Sequence, residues 1–537
     1  MAMYGVIIAV CISVLLSDAA DISGLLVSHP EDHSDLNLHP TLGSAPSWLS
    51  GTLYRTGPGL YEHGGRSVNN VMDGLSKVHA WHFPGDGSVS YTATMLKSGV
   101  YNKTMDDGYY AAFPIMGDIT PDFTMAEELE MMFGDIAAKD NTNIAIWNLD
   151  GGKSVTVTTE SPVMNQVVPR TLQYKSPLIS PVVDQLSSTK QALFSATHYA
   201  KHPSDGSSFN YVATMSMLPW KMHTAHYEFY QYYENSKGVL ETKKIASIPV
   251  SITDLRLIHQ FGITENFLFV PRFNFNMAPS LSFLYDMSHM CHALKFVEDK
   301  PTYMDIISIK SGEIFSFEMP PTRVAHIMNA FERTNSKGEL EVVLDIPTTD
   351  YPDKTKDEPK HCLFDIYKIP LINKEGYQYD NVAWNTTLKR VVYNMATRKN
   401  SVQEFPQTWR PIDTLVEFPF INQHFVGRDY CYCYFMQWHM KTMSMNLLKY
   451  DVCKQTSTSW REKGKHIMEP VFVANPGSPD IMAEDDGVII SPVFDSSNNS
   501  TELIVWDARN LTVIARYDNL VNVPITIHGW WFENKTE

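Results

Sequence analysis

Four histidines, His198, His259, His326 and His528, lie far apart along the chain, each in or beside a short β-type run. Three of them carry distinctive flanks: Leu257-Ile258-His259-Gln260-Phe261-Gly262, His326-Ile327-Met328-Asn329-Ala330-Phe331-Glu332 and, near the C-terminus, Pro524-Ile525-Thr526-Ile527-His528-Gly529. Side chains so separated meet only in a fold that brings many strands to one axis. Four neutral imidazoles at one point would make a metal site to which the ligands bring no charge.

The rest of the chain agrees with such a fold. From about residue 190 onward, short β-type runs alternate with turn residues: Ala192–His198, the turn Pro203-Ser204-Asp205-Gly206, then Phe209–Met215. Later runs include Phe267–Val270, Leu340–Asp345, Tyr430–Phe435, Gly487–Ile490, Leu503–Trp506 and Val513–Tyr517. Evenly recurring strands with Asp-Gly, Asn-Ser and Lys-Gly turns predict an all-β propeller or a large sandwich. The absence of an exact repeat argues against a WD40-type array. Helical pattern is sparse. Its clearest instance starts at Thr124, with Glu127 three residues on forming a capping box, and would cover the sheet core. At 537 residues the chain exceeds an ordinary single domain, but radial β folds distribute their core between blades. No composition break divides residues 21–537, which are expected to form one domain.

A formal net charge of −17 argues against nucleic acid and against electrostatic docking on anionic lipid, so any membrane contact would have to be apolar. The apolar run Val6–Leu16 followed by Ser17-Asp18-Ala19-Ala20 reads as a signal peptide over residues 1–20, with a retained anchor as the alternative. Acceptor sequons at Asn102, Asn385, Asn499, Asn510 and Asn534 agree with a secretory or extracellular destination and a glycoprotein. Beyond Cys11 of the leader stand Cys291, Cys362, Cys431, Cys433 and Cys453: an odd number without regular spacing, hence at least one free thiol and no disulfide scaffold. Cys431-Tyr432-Cys433 reads as ordinary strand residues rather than a metal clip.

Three carboxylates sit in settings as particular as those of the histidines: Thr158-Thr159-Glu160-Ser161-Pro162, Leu415-Val416-Glu417-Phe418-Pro419 and Met468-Glu469-Pro470-Val471-Phe472. A glutamate in an apolar strand is costly unless it is hydrogen-bonded. The outward N–H of a metal-bound imidazole is such a partner, and it fixes tautomer and ring angle. Taken singly, each of these Glu reads equally well as an edge-strand surface residue, and any one of the 19 histidines reads as a core or surface residue.

Together and in order, these motifs resemble the carotenoid cleavage oxygenase family, in particular its animal branch of β-carotene oxygenases and retinoid isomerohydrolase. The resemblance runs from Pro46-Ser47-Trp48-Leu49-Ser50-Gly51-Thr52-Leu53-Tyr54-Arg55-Thr56-Gly57-Pro58-Gly59 to the closing Pro-Ile-Thr-Ile-His-Gly. Between them lie Pro84-Gly85-Asp86-Gly87, Tyr101-Asn102-Lys103, Glu417-Phe418-Pro419-Phe420-Ile421-Asn422 and Glu484-Asp485-Asp486-Gly487-Val488.

The resemblance implies a seven-bladed β-propeller capped by loops and short helices. It implies one Fe(II) per chain on the axis, held by His198, His259, His326 and His528, with Glu160, Glu417 and Glu469 behind three of them. Imidazoles alone would equally suit zinc, copper or nickel, so the family and not the ligand set points to iron. For the first ligand the family has Ala-His-Pro before a hairpin. Here the text is Ala196-Thr197-His198-Tyr199-Ala200-Lys201-His202-Pro203, so His202 competes with His198. The family's lipid-attachment segment is replaced by Thr120-Pro121-Asp122-Phe123-Thr124, and its substrate-side aromatic-Asp-Gly-Asp text is altered at Asn69-Asn70-Val71-Met72-Asp73-Gly74.

The implied activity is cleavage of a carotenoid C=C bond by O2 to aldehyde products. The alternatives are a retinoid isomerohydrolase or isomerooxygenase on the same scaffold, or a non-catalytic carotenoid-binding propeller. A polyene offers little to hydrogen-bond and must be held by shape in an apolar tunnel. The run containing Phe273, Phe275, Met277, Leu281, Phe283 and Leu284 is expected to form a membrane-contacting rim through which substrate would arrive.

Overall fold

The structure, a computed structural model, describes residues 21–534 apart from 115, 134–139, 180–181, 183–185, 188, 222, 277–294, 298, 351–384, 410–413, 440–441, 479–482 and 519–520. Seven antiparallel sheets stand round one axis as the blades of a β-propeller. Blade one runs, from the rim inward, His33–Asn37, Ser90–Met95, Leu75–Pro84, Ser50–Leu60 and Gly529–Glu533. Blade two is Tyr174–Ile179, Val163–Val167, Val155–Thr158 and, innermost, Ala145–Trp147. In blade three the inner position is shared by two pieces, Lys190–Ser195 and Ala200–Lys201, both paired to Ser208–Ser216. Blades four, five and six begin on the axis with Gly262–Ile263, Asn329–Thr334 and Thr414–Phe420. Blade seven again has a broken inner strand, Lys465–Ile467 and Val471–Ala474, both paired to Gly487–Asp495.

Both chain ends close the ring. His33–Asn37 supplies the outermost strand of blade one and His39–Gly43 that of blade seven, while the C-terminal Gly529–Glu533 is the innermost strand of blade one. The last blade is thereby tied to the first at rim and hub. Strands at mid-blade are covered on both faces by neighbouring blades, so they lose the polar alternation of a half-buried strand. All nine residues of Gly487–Asp495 are buried, whereas all six of the rim strand Lys399–Glu404 are exposed, and its sequence is polar. The apolar core accordingly lies between blades. One cluster, including Trp81, Phe472 and Trp506, joins blades six, seven and one; another, including Phe229, Phe269 and Leu344, joins three, four and five.

The expected cap helix is present at Met125–Phe133. Its capping box is formed: Thr124 N–H donates to Glu127 at 2.7 Å and Glu127 N–H to Thr124 Oγ1 at 3.3 Å. Glu127 also takes a forked pair of bonds from Arg66. The helix does not simply cover the core, because Met125 and Leu129, one turn apart, are exposed.

The cysteines differ in part from expectation. Cys431 and Cys453 form a disulfide across a hairpin of blade six, and Cys431 stands just before the strand Tyr432–His439 rather than within it. Their pairing follows from the register that sets Tyr432 opposite Asp451, which no cysteine spacing reveals. Cys433 is a free, buried thiol. Cys291 and Cys362 lie outside the described residues.

Candidate metal centre

Every blade contributes one residue to the hub. His528 immediately precedes the inner strand of blade one, and Glu160 follows Val155–Thr158 in blade two. His198 stands in the gap between the two inner pieces of blade three. His259 and His326 each lie three residues before the inner strands of blades four and five. Glu417 sits at a register break in blade six, and Glu469 in the inner-strand gap of blade seven. Each side chain thus leaves the backbone where ladder pairing stops, which frees it to turn toward the axis. One ring nitrogen from each of His198, His259, His326 and His528 lies within 4.8 Å of the others.

Three of the imidazoles are held from behind. His259 Nδ1 is 2.6 Å from Glu160 Oε1, His326 Nδ1 is 2.7 Å from Glu417 Oε2, and His528 Nδ1 is 2.7 Å from Glu469 Oε1. A carboxylate facing Nδ1 selects the tautomer with its proton there, leaving Nε2 as an inward lone pair. The carboxylates are themselves anchored: Glu417 Oε2 accepts the Phe418 N–H, Glu469 Oε2 the Gly529 N–H and Glu160 Oε2 the Thr159 hydroxyl. Phe418 adopts a left-handed backbone (φ 56°), uncommon for an aromatic residue, and lays its ring against both His326 and His528.

The inward nitrogens crowd one another. His259 Nε2 and His326 Nε2 are 3.2 Å apart, and His326 Nε2 and His528 Nε2 3.1 Å. The buried His198 Nε2 has no hydrogen-bond partner. Converging lone pairs repel unless a cation lies between them, and two nitrogens each ~2.1 Å from a shared ion at roughly a right angle stand about 3 Å apart. The donor set therefore fits a single metal ion. Burial, with repulsion from the other imidazoles, holds His198 and His528 far below the ordinary histidine range, which keeps them neutral and able to ligate. Burial works to raise the Glu160 carboxyl, but the hydrogen bond from His259 outweighs it and the group lies below its usual value. At Glu469 burial wins over the nearby Arg55 and pushes the carboxyl up to about 7.

His202, the rival for the first position, is not at the hub. It belongs to the hairpin after the inner strand, where its ring meets the Glu265 carbonyl at 3.0 Å and Asp205 at 3.3 Å. The expected membrane rim is corrected at Phe273, which is 1% exposed and packed in the core between blades three, four and five. Phe275 lies in the short strand Phe275–Asn276, while Met277, Leu281, Phe283 and Leu284 lie outside the described residues. Two residues that sequence reading passed over also belong to the site: Phe418, and Arg55, whose charge in an otherwise uncharged strand was the available signal. A cavity opens onto the imidazoles of His198, His326 and His528, walled by Trp147, Tyr199, Phe261, Phe418, Phe420 and Trp530, with Lys201 and Gln423 also on its lining.

Comparison with known proteins gives the same picture. Rat β,β-carotene 15,15'-dioxygenase is 24% identical over 538 residues, covering 91% of this chain and 87% of that protein. Apocarotenoid-15,15'-oxygenase of Synechocystis is 25% identical over 511 residues, covering 91% of each. Among solved structures, a Synechocystis apocarotenoid oxygenase variant superposes with a TM-score of 0.76 at 22% identity, covering 96% of this chain and 98% of that one. A cobalt-substituted form of that oxygenase superposes with a TM-score of 0.75 over the same shares. Residues 28–533 match the family described as "Retinal pigment epithelial membrane protein", and the chain belongs to that family, the carotenoid cleavage oxygenases.

Proposed function

We propose that this protein is a non-haem iron(II) dioxygenase that splits a C=C double bond of a β-carotene-like carotenoid with O2, giving aldehyde products. The observation that carries the reading is the inward convergence of four imidazoles beside an aromatic-walled cavity. The activities for which the rat and Synechocystis relatives are named favour a carotenoid. Membership of the family favours iron over the other metals that imidazoles accept. A ferrous ion on these ligands would supply the open coordination positions and the electrons that O2 activation needs.

The chain's own residues perform the rest. Glu160, Glu417 and Glu469 keep the protons of His259, His326 and His528 on Nδ1, so that three lone pairs stay directed inward. His198, with no carboxylate behind it, is kept neutral by burial. The aromatic walls hold an apolar chain by shape and exclude water, and the position at which that chain stops decides which bond is presented.

Secretory maturation is part of the proposal. The Cys431–Cys453 disulfide favours an oxidising compartment, and the sequon residues Asn102, Asn499, Asn510 and Asn534 are exposed. Peripheral apolar contact with a membrane is favoured by Trp220, 69% exposed, and Met217, 45% exposed, between two strands of blade three.

Anaerobic purification, iron analysis and incubation with β-carotene in detergent under O2 test the function. Aldehydes from an iron-loaded protein support it. Retinol released from retinyl ester would replace it with an isomerohydrolase, and pigment retained without turnover would replace it with a binding protein.

A further inference from the structure

The motif around the fourth ligand is shaped about a guanidinium. Arg55, on Ser50–Leu60, is fully buried. Its Nε donates to Thr526 Oγ1 at 2.7 Å, its Nη1 to the Glu469 carbonyl at 2.8 Å and its Nη2 to the Ile527 carbonyl at 3.1 Å. A Cβ added at Gly529 would fall 2.6 Å from Arg55 Cγ. The run Thr526-Ile527-His528-Gly529 therefore offers a hydroxyl, a carbonyl and an absent side chain to one arginine. Arg55 Nη1 is also 3.7 Å from Glu469 Oε2, and among the described residues no Lys or Arg ion-pairs with Glu160 or Glu417.

Charge accounts for this placement. The carboxyl groups of Glu160, Glu417 and Glu469 each face the Nδ1 of an imidazole, and as three anions they would exceed the charge of a divalent ion by one. An isolated charge of that kind is expensive away from water. Arg55 supplies the single positive charge that brings such a total to zero, and of the three carboxylates it stands beside that of Glu469.

We propose that Arg55 is a positioning residue of the metal centre: its buried guanidinium, bonded to the Glu469 and Ile527 carbonyls and 3.7 Å from the Glu469 carboxylate, supplies the balancing charge that holds the Glu469–His528 pair aimed at a divalent cation. The inference rests on the metal-binding reading above. Contacts alone would make Arg55 a clasp for the chain end. A charge role makes a different prediction, because a charge can be balanced by removing its counter-charge.

Full-length chelator-treated protein is titrated with Co(II), following the visible absorption of the bound ion, with thermal unfolding of the metal-free protein as the fold control. Failure of the unaltered protein to bind Co(II) would sink the metal reading itself and this inference with it. Given that binding, Arg55→Met should weaken affinity at least about tenfold, the range typical of residues that orient metal ligands. Arg55→Met combined with Glu469→Gln should bind no more weakly than Glu469→Gln alone, because each change removes one of two opposite charges. Arg55→Lys, which keeps the charge and loses the fork, should stay within about threefold of the unaltered protein. Losses that simply add in the double variant, or Arg55→Lys as weak as Arg55→Met, would overturn the proposal. If Arg55→Met does not fold, the Arg55→Lys titration decides alone.

Discussion

The Nε2 atoms of His326 and His528 stand 3.1 Å apart, while the Nδ1 atoms of both rings face glutamates. With each proton committed to a carboxylate, neither Nε2 can donate to the other, and the contact lacks the hydrogen that its length suggests. It becomes favourable only when both nitrogens share a cation. The same reasoning covers His259 and leaves His198 as the imidazole of the four that has no carboxylate behind it among the described residues.

Replacement of the carboxylates should therefore act through the metal. Glu417→Ala is expected to lower metal affinity about 10- to 100-fold, and Glu417→Gln by less, since the amide oxygen still accepts from His326 Nδ1. Metal stoichiometry after dialysis against a graded chelator series measures this. Equal occupancy of both variants and the unaltered protein would remove the role assigned to Glu417.

The two candidates for the first ligand should separate cleanly. His198→Ala is expected to abolish stoichiometric metal binding. His202→Ala should leave it intact and cost no more than about 1 kcal/mol, because the side chain serves only its hairpin. Elemental analysis of the two purified variants is sufficient, and the reverse pattern would move the ligand to His202.

Stability should fall in mild acid for a reason outside the metal centre. Burial holds His466 down to about 4, with Asp495 offsetting only a part. Its neutral ring is matched to its surroundings, with Nδ1 accepting from the Met445 N–H and Nε2 facing the Ser496 hydroxyl. An unfolded chain takes up this proton near 6.5, and the native one only near 4. The contribution is complete above pH 6.5 and is lost as pH falls toward 4, at up to about 1.4 kcal/mol per unit and about 3 kcal/mol in all. Denaturant midpoints of chelator-treated protein between pH 7.5 and 5 should show this decline, and His466→Gln should flatten it.

The disulfide closes a hairpin of blade six at a sequence separation of 22. Loop-closure entropy puts the cost of its loss at about 3 kcal/mol, read as a lower melting temperature for Cys453→Ser. Peptide mapping without reductant should recover Cys431 joined to Cys453, with Cys433 reacting with alkylating reagent only after unfolding.

Much of the site was legible because its chemistry imposes local sequence. Three residues after His326, Asn329 donates its amide to the carbonyls of Phe425 and Arg428 and so ties the start of the blade-five inner strand to the loop that follows that of blade six. His528 needs Gly529, where a side chain would strike Arg55. A glutamate amid strand residues, as at Glu417, suits a surface as well as a buried partner, and only the order of motifs around Glu417 and Glu469 favoured the second. The choice between His198 and His202 was not legible, since both lie within one strand-and-turn segment and only the gap in the inner strand of blade three decides which ring turns inward. Phe273 could not be assigned from its neighbours either, because an apolar residue suits a rim and a core equally well.

The sequence by itself determined an all-β fold, because strand period and turn residues are local constraints, and its resemblance to a family singled out the histidines of the hub and the three glutamates. Tertiary structure alone decided that each of seven blades delivers one hub residue, that Cys431 finds Cys453, and that Arg55 lies behind Glu469. Those facts depend on how blades pack and how the chain ends close the ring. Such distances are set by the summed burial of many side chains, and no short stretch of sequence contains them.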